Sequence, residues 1–369
     1  MARTTVTFDS AGIEIAAHLY TPDAPAAGPR PALVVGHPGT AVKEQTSGTY
    51  ARRLAERGFV TLAFDAAYQG ASGGLPRGLE DPAQRVEDFK AAVSYLTTRE
   101  EVDPARIGLL GICASGGYCL TATGGDHRVR AVATVSGVDV ARQFRLGADG
   151  SQDPAVFQAL LDAAAQARTT AARGEDPGAM PVFPDTAEQA AALGGEHAVE
   201  GFDYYCTPRG RHERSAKHFA WQSIDKLASF DAFFAVPLIG PRPLLQIIGS
   251  RAVTSWMARP GSRGGRERGG LLGSRPPALQ APDAEAVADD LARLGGGLLD
   301  VGSATQGAFA GGAGSAQGGL AGHRGVGRLQ DDVEVLNHSA LVGAEREPYE
   351  PDSLGDHGKR PSGNTRGPR

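Results

Sequence analysis

The run Arg106-Ile-Gly-Leu-Leu-Gly-Ile-Cys-Ala-Ser-Gly-Gly-Tyr118 most constrains what this chain can become. An apolar strand feeds straight into a glycine-rich turn with a cysteine at its tip, and a helix follows at once. That is the pattern of a nucleophile elbow, in which a strained residue presents its side chain above the end of a sheet. Gly111, two residues before Cys113, and the pair Gly116-Gly117 leave room for the turn and for close packing of helix on strand. A thiol placed there lies at a helix N-terminus, where the dipole and free N–H groups favour the thiolate. Such a turn implies acyl-transfer chemistry, and that chemistry needs a histidine and an acid further along.

Composition removes several alternatives. A net charge of −5, with the basic residues scattered, provides no footprint for nucleic acid or for an anionic membrane. The first residues, Met-Ala-Arg-Thr-Thr-Val-Thr, lack the apolar core of a signal peptide, and no apolar stretch reaches membrane-spanning length. Cys113, Cys119 and Cys206 are too few and too irregular for a disulfide framework or a zinc site, and no metal is implied. Cys119 reads as a small buried apolar residue on the helix after the elbow. These features point to a soluble, reducing, cytoplasmic setting. A dinucleotide site is excluded, because Gly111–Gly117 does not fit Gly-x-Gly-x-x-Gly.

Up to Met257 the pattern alternates strands with helices. Val6–Phe8 and Ile13–Tyr20 read as a hairpin, and the run from Pro31 to Gly39 as a buried strand ending in a Gly/Pro loop. Thr49–Arg57 and Pro82–Thr98 are amphipathic, the second with Val86, Phe89, Ala92, Val93 and Leu96 on one face. Val60–Ala66, Ile107–Ile112, Val129–Val138 and Pro243–Gly249 complete a set of strands. The alternation predicts an α/β fold with a mostly parallel sheet flanked by helices. From about Ala141 to Phe234 the strand signal disappears, and Ala155–Arg173, Thr186–Leu193 and Ala216–Phe234 read as helices. The expected organisation is a core of residues 1–140 and 235–257 with a helical cap at 141–234.

Beyond Met257 the composition changes. The last 112 residues hold 24 of the 51 glycines but only two aromatic residues, Phe309 and Tyr349, and a single lysine, Lys359. Runs such as the one from Gly261 to Gly270 cannot bury enough apolar area to offset chain entropy. Residues 258–369 therefore read as a largely disordered low-complexity tail in which only Ala284–Leu294 has a helical pattern.

With these residues on the page, the chain resembles the α/β-hydrolase superfamily, and within it bacterial hydrolases related to dienelactone hydrolase and to X-Pro-peptidase-like esterases. Four stretches carry the resemblance: His37–Thr46, Phe64–Gly74, the elbow, and Pro241–Ser250. It implies an α/β-hydrolase fold acting on a small-molecule ester, thioester, lactone or similar carbonyl, without a cofactor. Cys113 matches the nucleophile position. Ser115 stands where the elbow usually has its second glycine, which leaves a rival register with Ser115 as nucleophile; the strand's end at Leu110 favours Cys113. The oxyanion hole should combine the N–H of Ala114 with that of Gly39 or Thr40. His37 reads as a structural loop residue, Asp65 as the organiser of the Gly-rich loop after its strand, and Tyr68 as a packing or substrate-facing residue. Asp139, at a strand's carboxyl end, is the candidate acid, because Gly249–Thr254 has no carboxylate.

The base is missing from its expected place. In this fold the histidine follows the last strand, roughly forty to sixty residues after the strand at 243–249 at ordinary element lengths. No histidine occurs between His218 and His323; His323, His338 and His357 lie in the anomalous tail, and His212 and His218 lie in the cap as surface residues. Two readings follow: a hydrolase whose triad is incomplete, or a catalytically dead hydrolase-fold binding protein. An altered reading frame in a GC-rich gene would account for both the composition beyond Ala258 and the lost histidine; a genuinely extended, regulatory tail is the rival reading. Translating the underlying DNA in the other two frames should then recover a strand followed by a Gly-x-x-His turn, and noise in both frames excludes the idea.

Overall fold

A computed structural model describes residues 1–193, 196–249 and 252–258, together with two strands at 326–329 and 333–337. The chain opens with an antiparallel pair, β1 (Ala2–Ser10) and β2 (Ile13–Thr21). β3 (Arg30–Gly36), helix α1 (Thr46–Glu56), β4 (Val60–Phe64), helix α2 (Pro82–Thr97) and β5 (Val102–Ile112) follow. Helix α3 (Ser115–Gly125) and β6 (Val129–Val135) come next. The insertion that follows holds α4 (Val140–Leu146), α5 (Pro154–Ala172), β7 (Ala179–Pro181), α6 (Ala187–Leu193), α7 (Glu196–Tyr205), β8 (His218–Ala220), α8 (Ser223–Ala228) and a 3₁₀ turn at Ala232–Leu238. β9 (Leu244–Gly249) returns to the sheet, and a second 3₁₀ turn occupies Val253–Ala258.

The sheet order is β1-β2-β4-β3-β5-β6-β9-β11-β10, with β10 at Val326–Leu329 and β11 at Val333–Asn337. Strands β4, β3, β5, β6 and β9 are mutually parallel, and β2 and β11 flank them antiparallel. The fold is thus the expected mostly parallel sheet between helices. From β3 the chain goes to one side for β4 and then back across to the other side for β5. This reversal opens a crevice above the carboxyl ends of β3 and β5, where open α/β sheets bind ligands.

Helix α1 packs on one face of the sheet through Tyr50, Ala51, Leu54 and Ala55. Helices α2 and α3 cover the other, with Phe89, Val93, Leu96, Tyr118 and Leu120 in the core. Helix α2 forms where its pattern predicts: Asp81 caps it by accepting the N–H of Ala83 at 3.1 Å, and a proline starts the first turn. Helix α3 is a poor helix former, with four glycines among its eleven residues. Its burial on nearly every side holds it, as tertiary packing does for most short helices.

Two expectations are corrected. Residues 141–234 are not free of strands, since Ala179–Pro181 pairs antiparallel with His218–Ala220. The helix expected over Ala216–Phe234 is divided into β8, α8 and the 3₁₀ turn. That pairing takes its first residues, and Asp231 caps a new start by accepting the N–H of Phe233. Within the largely low-complexity tail, residues 326–329 and 333–337 pair with each other, and 333–337 also pairs with β9. Their sequences, Val-Gly-Arg-Leu and Val-Glu-Val-Leu-Asn, have the β-branched content of strands. The helical pattern at Ala284–Leu294 and His323, His338 and His357 lie outside the described residues.

Two loops wall the crevice, one after β3 and one after β4, and a buried ion pair ties them together. Asp65 accepts the backbone N–H of Lys43 at 2.6 Å, its ammonium at 2.7 Å and the N–H of Ala71 at 2.8 Å. Lys43 is 2% exposed and Asp65 is fully buried, so losing one partner leaves the other charge without water. The Asp65→Ala variant should lose about 3 kcal/mol of stability in chemical denaturation. This is the low end for such pairs, because Glu44 still sits 3.2 Å from the Lys43 ammonium.

Candidate active site

Between the end of β5 at Ile112 and the start of α3 at Ser115 only Cys113 and Ala114 make the turn. Cys113 takes a φ of +53°, a left-handed conformation that costs a non-glycine residue about 1–3 kcal/mol. Three backbone hydrogen bonds hold it there. Its N–H donates to Val135 at 3.1 Å, and its carbonyl accepts from Gly116 at 2.8 Å and from Val138 at 3.0 Å. The glycines below allow the close approach. Gly36 and Gly111 are register partners on β3 and β5; a Cβ on Gly36 would meet Ser115 Oγ at 2.7 Å, and one on Gly111 would meet the Ser115 carbonyl oxygen at 2.2 Å.

The Cys113 side chain is half-buried. Burial pushes its thiol pKa up, while the backbone N–H groups of Ala114 and Gly39, both aimed at the sulfur, favour the thiolate. Glu80 adds to the upward shift and Arg85 opposes it. The structure therefore brings together Cys113, Ala114 and Gly39. Gly39 lies in a turn closed by the Ala41 N–H donating to Pro38 at 3.2 Å, with Thr40 at a φ of +60°. A left-handed third residue is what a type II turn requires.

His37 is a supporting residue of this loop. Its buried Nε2 accepts the Ala66 N–H at 3.0 Å, so its proton sits on Nδ1, which lies 2.6 Å from the Pro38 carbonyl oxygen. Burial, with Arg85 beside it, holds its pKa well below the usual histidine range, and the ring is neutral. Ser115 is fully buried; its hydroxyl donates to the His37 carbonyl at 2.5 Å. Asp139 is also fully buried. Its Oδ1 accepts the N–H of Arg142 at 3.0 Å, capping α4, and its Oδ2 accepts the N–H of Ala232 at 2.9 Å. Burial pushes its pKa up. Among the described residues no histidine side chain hydrogen-bonds Cys113, Ser115 or Asp139, and no cluster suited to a metal ion occurs. Tyr68 packs against the core beneath the crevice, with Gly74 pressed on its ring.

Two groups near Cys113 are absent from the sequence reading. One is a buried polar network under the turn. Glu80 Oε1 accepts the Tyr118 hydroxyl at 2.8 Å and lies 3.2 Å from Arg85 Nε, and Arg85 Nη2 donates to the His37 carbonyl at 3.1 Å. Its signal in the sequence is a charged residue, Arg85, which together with Asp88 interrupts the mostly apolar buried face of α2. The other group is aromatic and comes from the insertion. Tyr205 stacks on Phe183 with ring centroids 4.8 Å apart. Burial pushes its phenol pKa far up, and the neighbouring Cys113 sulfur adds to that shift. Phe219 packs against Gly39, 3.3 Å from where a Cβ would lie.

Comparison with known proteins agrees with this geometry. The Dienelactone hydrolase family model matches residues 15–171. The uncharacterized protein YcjY of Escherichia coli K12 is 36% identical over 227 residues, covering 62% of this chain and 73% of that protein. PA2218 of Pseudomonas aeruginosa is 39% identical over 248 residues, 65% of each chain. Its crystal structure has a TM-score of 0.66 at 37% identity, covering 70% of this chain and 80% of that one. The thiohydrolase aneE of Aspergillus aculeatus is 36% identical over 124 residues, 34% of this chain and 38% of its own.

The raised thiol pKa has a measurable consequence. Alkylation of Cys113 by iodoacetamide, followed by peptide mass spectrometry, should keep accelerating at pH values where a cysteine in a short peptide has levelled off. Glu80→Gln removes the carboxylate that disfavours the thiolate and should move the profile to lower pH. An unshifted profile means that the Glu80 charge does not reach the sulfur.

Proposed function

We propose, from the premise that this chain belongs to the dienelactone hydrolase family, that it hydrolyses esters, thioesters, lactones or similar activated carbonyls through a covalent acyl-enzyme on Cys113. The observation that carries this reading is a left-handed cysteine between strand and helix whose thiolate is favoured by the Ala114 and Gly39 N–H groups. In this reading the turn is a nucleophile elbow. The thiolate sulfur attacks the substrate carbonyl carbon, and the carbonyl π electrons move onto oxygen. The N–H groups of Ala114 and Gly39 then hold the oxyanion. Collapse of the tetrahedral intermediate breaks the bond to the leaving alkoxide or thiolate, which takes up a proton, and water later releases the acid.

Gly39 is favoured over Thr40 as second donor because its N–H already meets the sulfur. Ser115 is disfavoured as nucleophile because its hydroxyl is buried and donates to His37. Asp139, as the acid, has both oxygens accepting backbone N–H groups, and in that state it orients α4 and the 3₁₀ turn. Residues 141–234 act as the cap over a core of 1–140 and 235–257, with Tyr205 and Phe219 facing the substrate's side of the elbow. The likeness to a thiohydrolase supports thioesters within the substrate class. The substrate is a small molecule, no cofactor takes part, and the setting is cytoplasmic. In support of this setting, no described helix is long and apolar enough to cross a membrane.

A second reading, a hydrolase-fold protein that binds a ligand without turning it over, is supported by the lack of a histidine at the thiol among the described residues. Turnover of p-nitrophenyl acetate and of a short acyl thioester by wild type, Cys113→Ala and Ser115→Ala separates the two. Loss of the nucleophile should reduce kcat by about 10³-fold or more. Equal, background-level rates for wild type and Cys113→Ala would establish the binding reading. Loss confined to Ser115→Ala would transfer the attack to that hydroxyl.

A further inference from the structure

The insertion grips the loop that carries Gly39. The Ser215 hydroxyl donates to the Thr40 carbonyl at 2.9 Å, Gln45 Nε2 donates to the Gly210 carbonyl at 2.6 Å, and Arg214 pairs with Glu44 at 2.5 Å. The Thr46 hydroxyl lies 3.3 Å from that of Tyr204, and Phe219 presses on Gly39. The first of these contacts meets the loop at its most strained point. Thr40 is β-branched and holds a φ of +60° without a glycine's freedom. The peptide that follows Thr40 is held at both ends: its N–H donates to Pro38 within the turn, and its carbonyl accepts from Ser215. Thr40 and Ser215 are 2% and 6% exposed, so bulk water has no ready path to replace the lost hydroxyl.

We propose that Ser215 is a positioning residue that latches the Pro38–Ala41 turn in its strained form, so that the oxyanion site at Cys113 is assembled only when the 204–219 segment is docked. The inference rests on the reading of Cys113 as nucleophile. Released from the latch, Thr40 relaxes to negative φ as the Gly39–Thr40 peptide turns over, and the Pro38–Ala41 turn no longer fixes Gly39 in one place beside Cys113. Docking of the segment and readiness for acyl transfer are then one event. Simple alkylation of the thiol needs no oxyanion donor and feels the latch only through the thiolate fraction, which the Gly39 N–H favours.

Two reactions of the full-length protein test this: acylation of Cys113 by p-nitrophenyl acetate, followed by intact mass, and alkylation of the same thiol by iodoacetamide. Ser215→Ala should slow acylation roughly ten- to hundredfold, as displaced oxyanion donors do. Alkylation forms no oxyanion and should slow by several-fold less than acylation, by no more than the lost thiolate fraction accounts for. In a Thr40→Gly background, where the left-handed conformation is free of strain, the Ser215→Ala penalty should shrink to about threefold or less. Acylation at the wild-type rate in Ser215→Ala overturns the latch. So does equal slowing of acylation and alkylation, or an undiminished penalty in the Thr40→Gly background. Acylation that persists in Cys113→Ala overturns the nucleophile reading itself, and the latch falls with it; that result is distinct from each of the others.

Discussion

The close approach of α3 to the paired strands β3 and β5 governs the site above it. It is possible because Gly36 and Gly111, register partners at the carboxyl ends of those strands, leave the volume that Ser115 fills. Once Ser115 is seated, its hydroxyl anchors the His37 carbonyl, and the loop after β3 begins from a fixed point. Arg85 reinforces the same point by donating to the His37 carbonyl and ring. Gly39 is two residues on, and its N–H favours the thiolate of Cys113, whose backbone is held by three hydrogen bonds. A side chain at either glycine would lift the helix, and the elbow and the oxyanion loop would lose their common support.

The crevice is built from buried polar groups where an apolar interior would be more economical. Lys43 with Asp65, Arg85 with Glu80, and the carboxylate of Asp139 are all nearly or fully withdrawn from water. Desolvation makes such groups a weak source of net stability, and each is tolerated because it meets several partners, with Arg85 Nε held by its ion pair to Glu80 alone. Their effect is geometric. Each fixes the relative position of two segments distant in sequence: the loops after β3 and β4, α2 and α3, or α4 and the 3₁₀ turn at Ala232–Leu238. A charge that demands several partners at once leaves few alternative arrangements, and that precision is what an oxyanion site needs.

Legibility in the sequence followed the range of the interaction. Asp65 as a loop organiser, His37 as a structural residue and Cys119 as a buried apolar one could be read from their neighbours along the chain. The roles of Arg85, Glu80, Asp139 and Ser215 could not, because each meets a partner 30 to 175 residues away. Asp139 stands at a strand's carboxyl end and so reads as an acid; that one of its oxygens also accepts the N–H of Ala232, far along the chain, is not legible there. The helix expected over Ala216–Phe234 failed for the same reason, since β8 exists only because β7 is there to pair with it.

The sequence by itself determined the class of the fold, because alternating apolar strands and amphipathic helices bury their faces only by stacking in layers. It also determined the place of the turn at Cys113, because a run of glycines after a buried strand permits little else. Only the tertiary structure decided which atoms meet there. The approach of Gly39 to the sulfur, the burial of the Ser215 hydroxyl on Thr40 and the enclosure of Ser115 are contacts between separate segments. Their distances depend on how whole layers pack, and no local pattern in the chain encodes them.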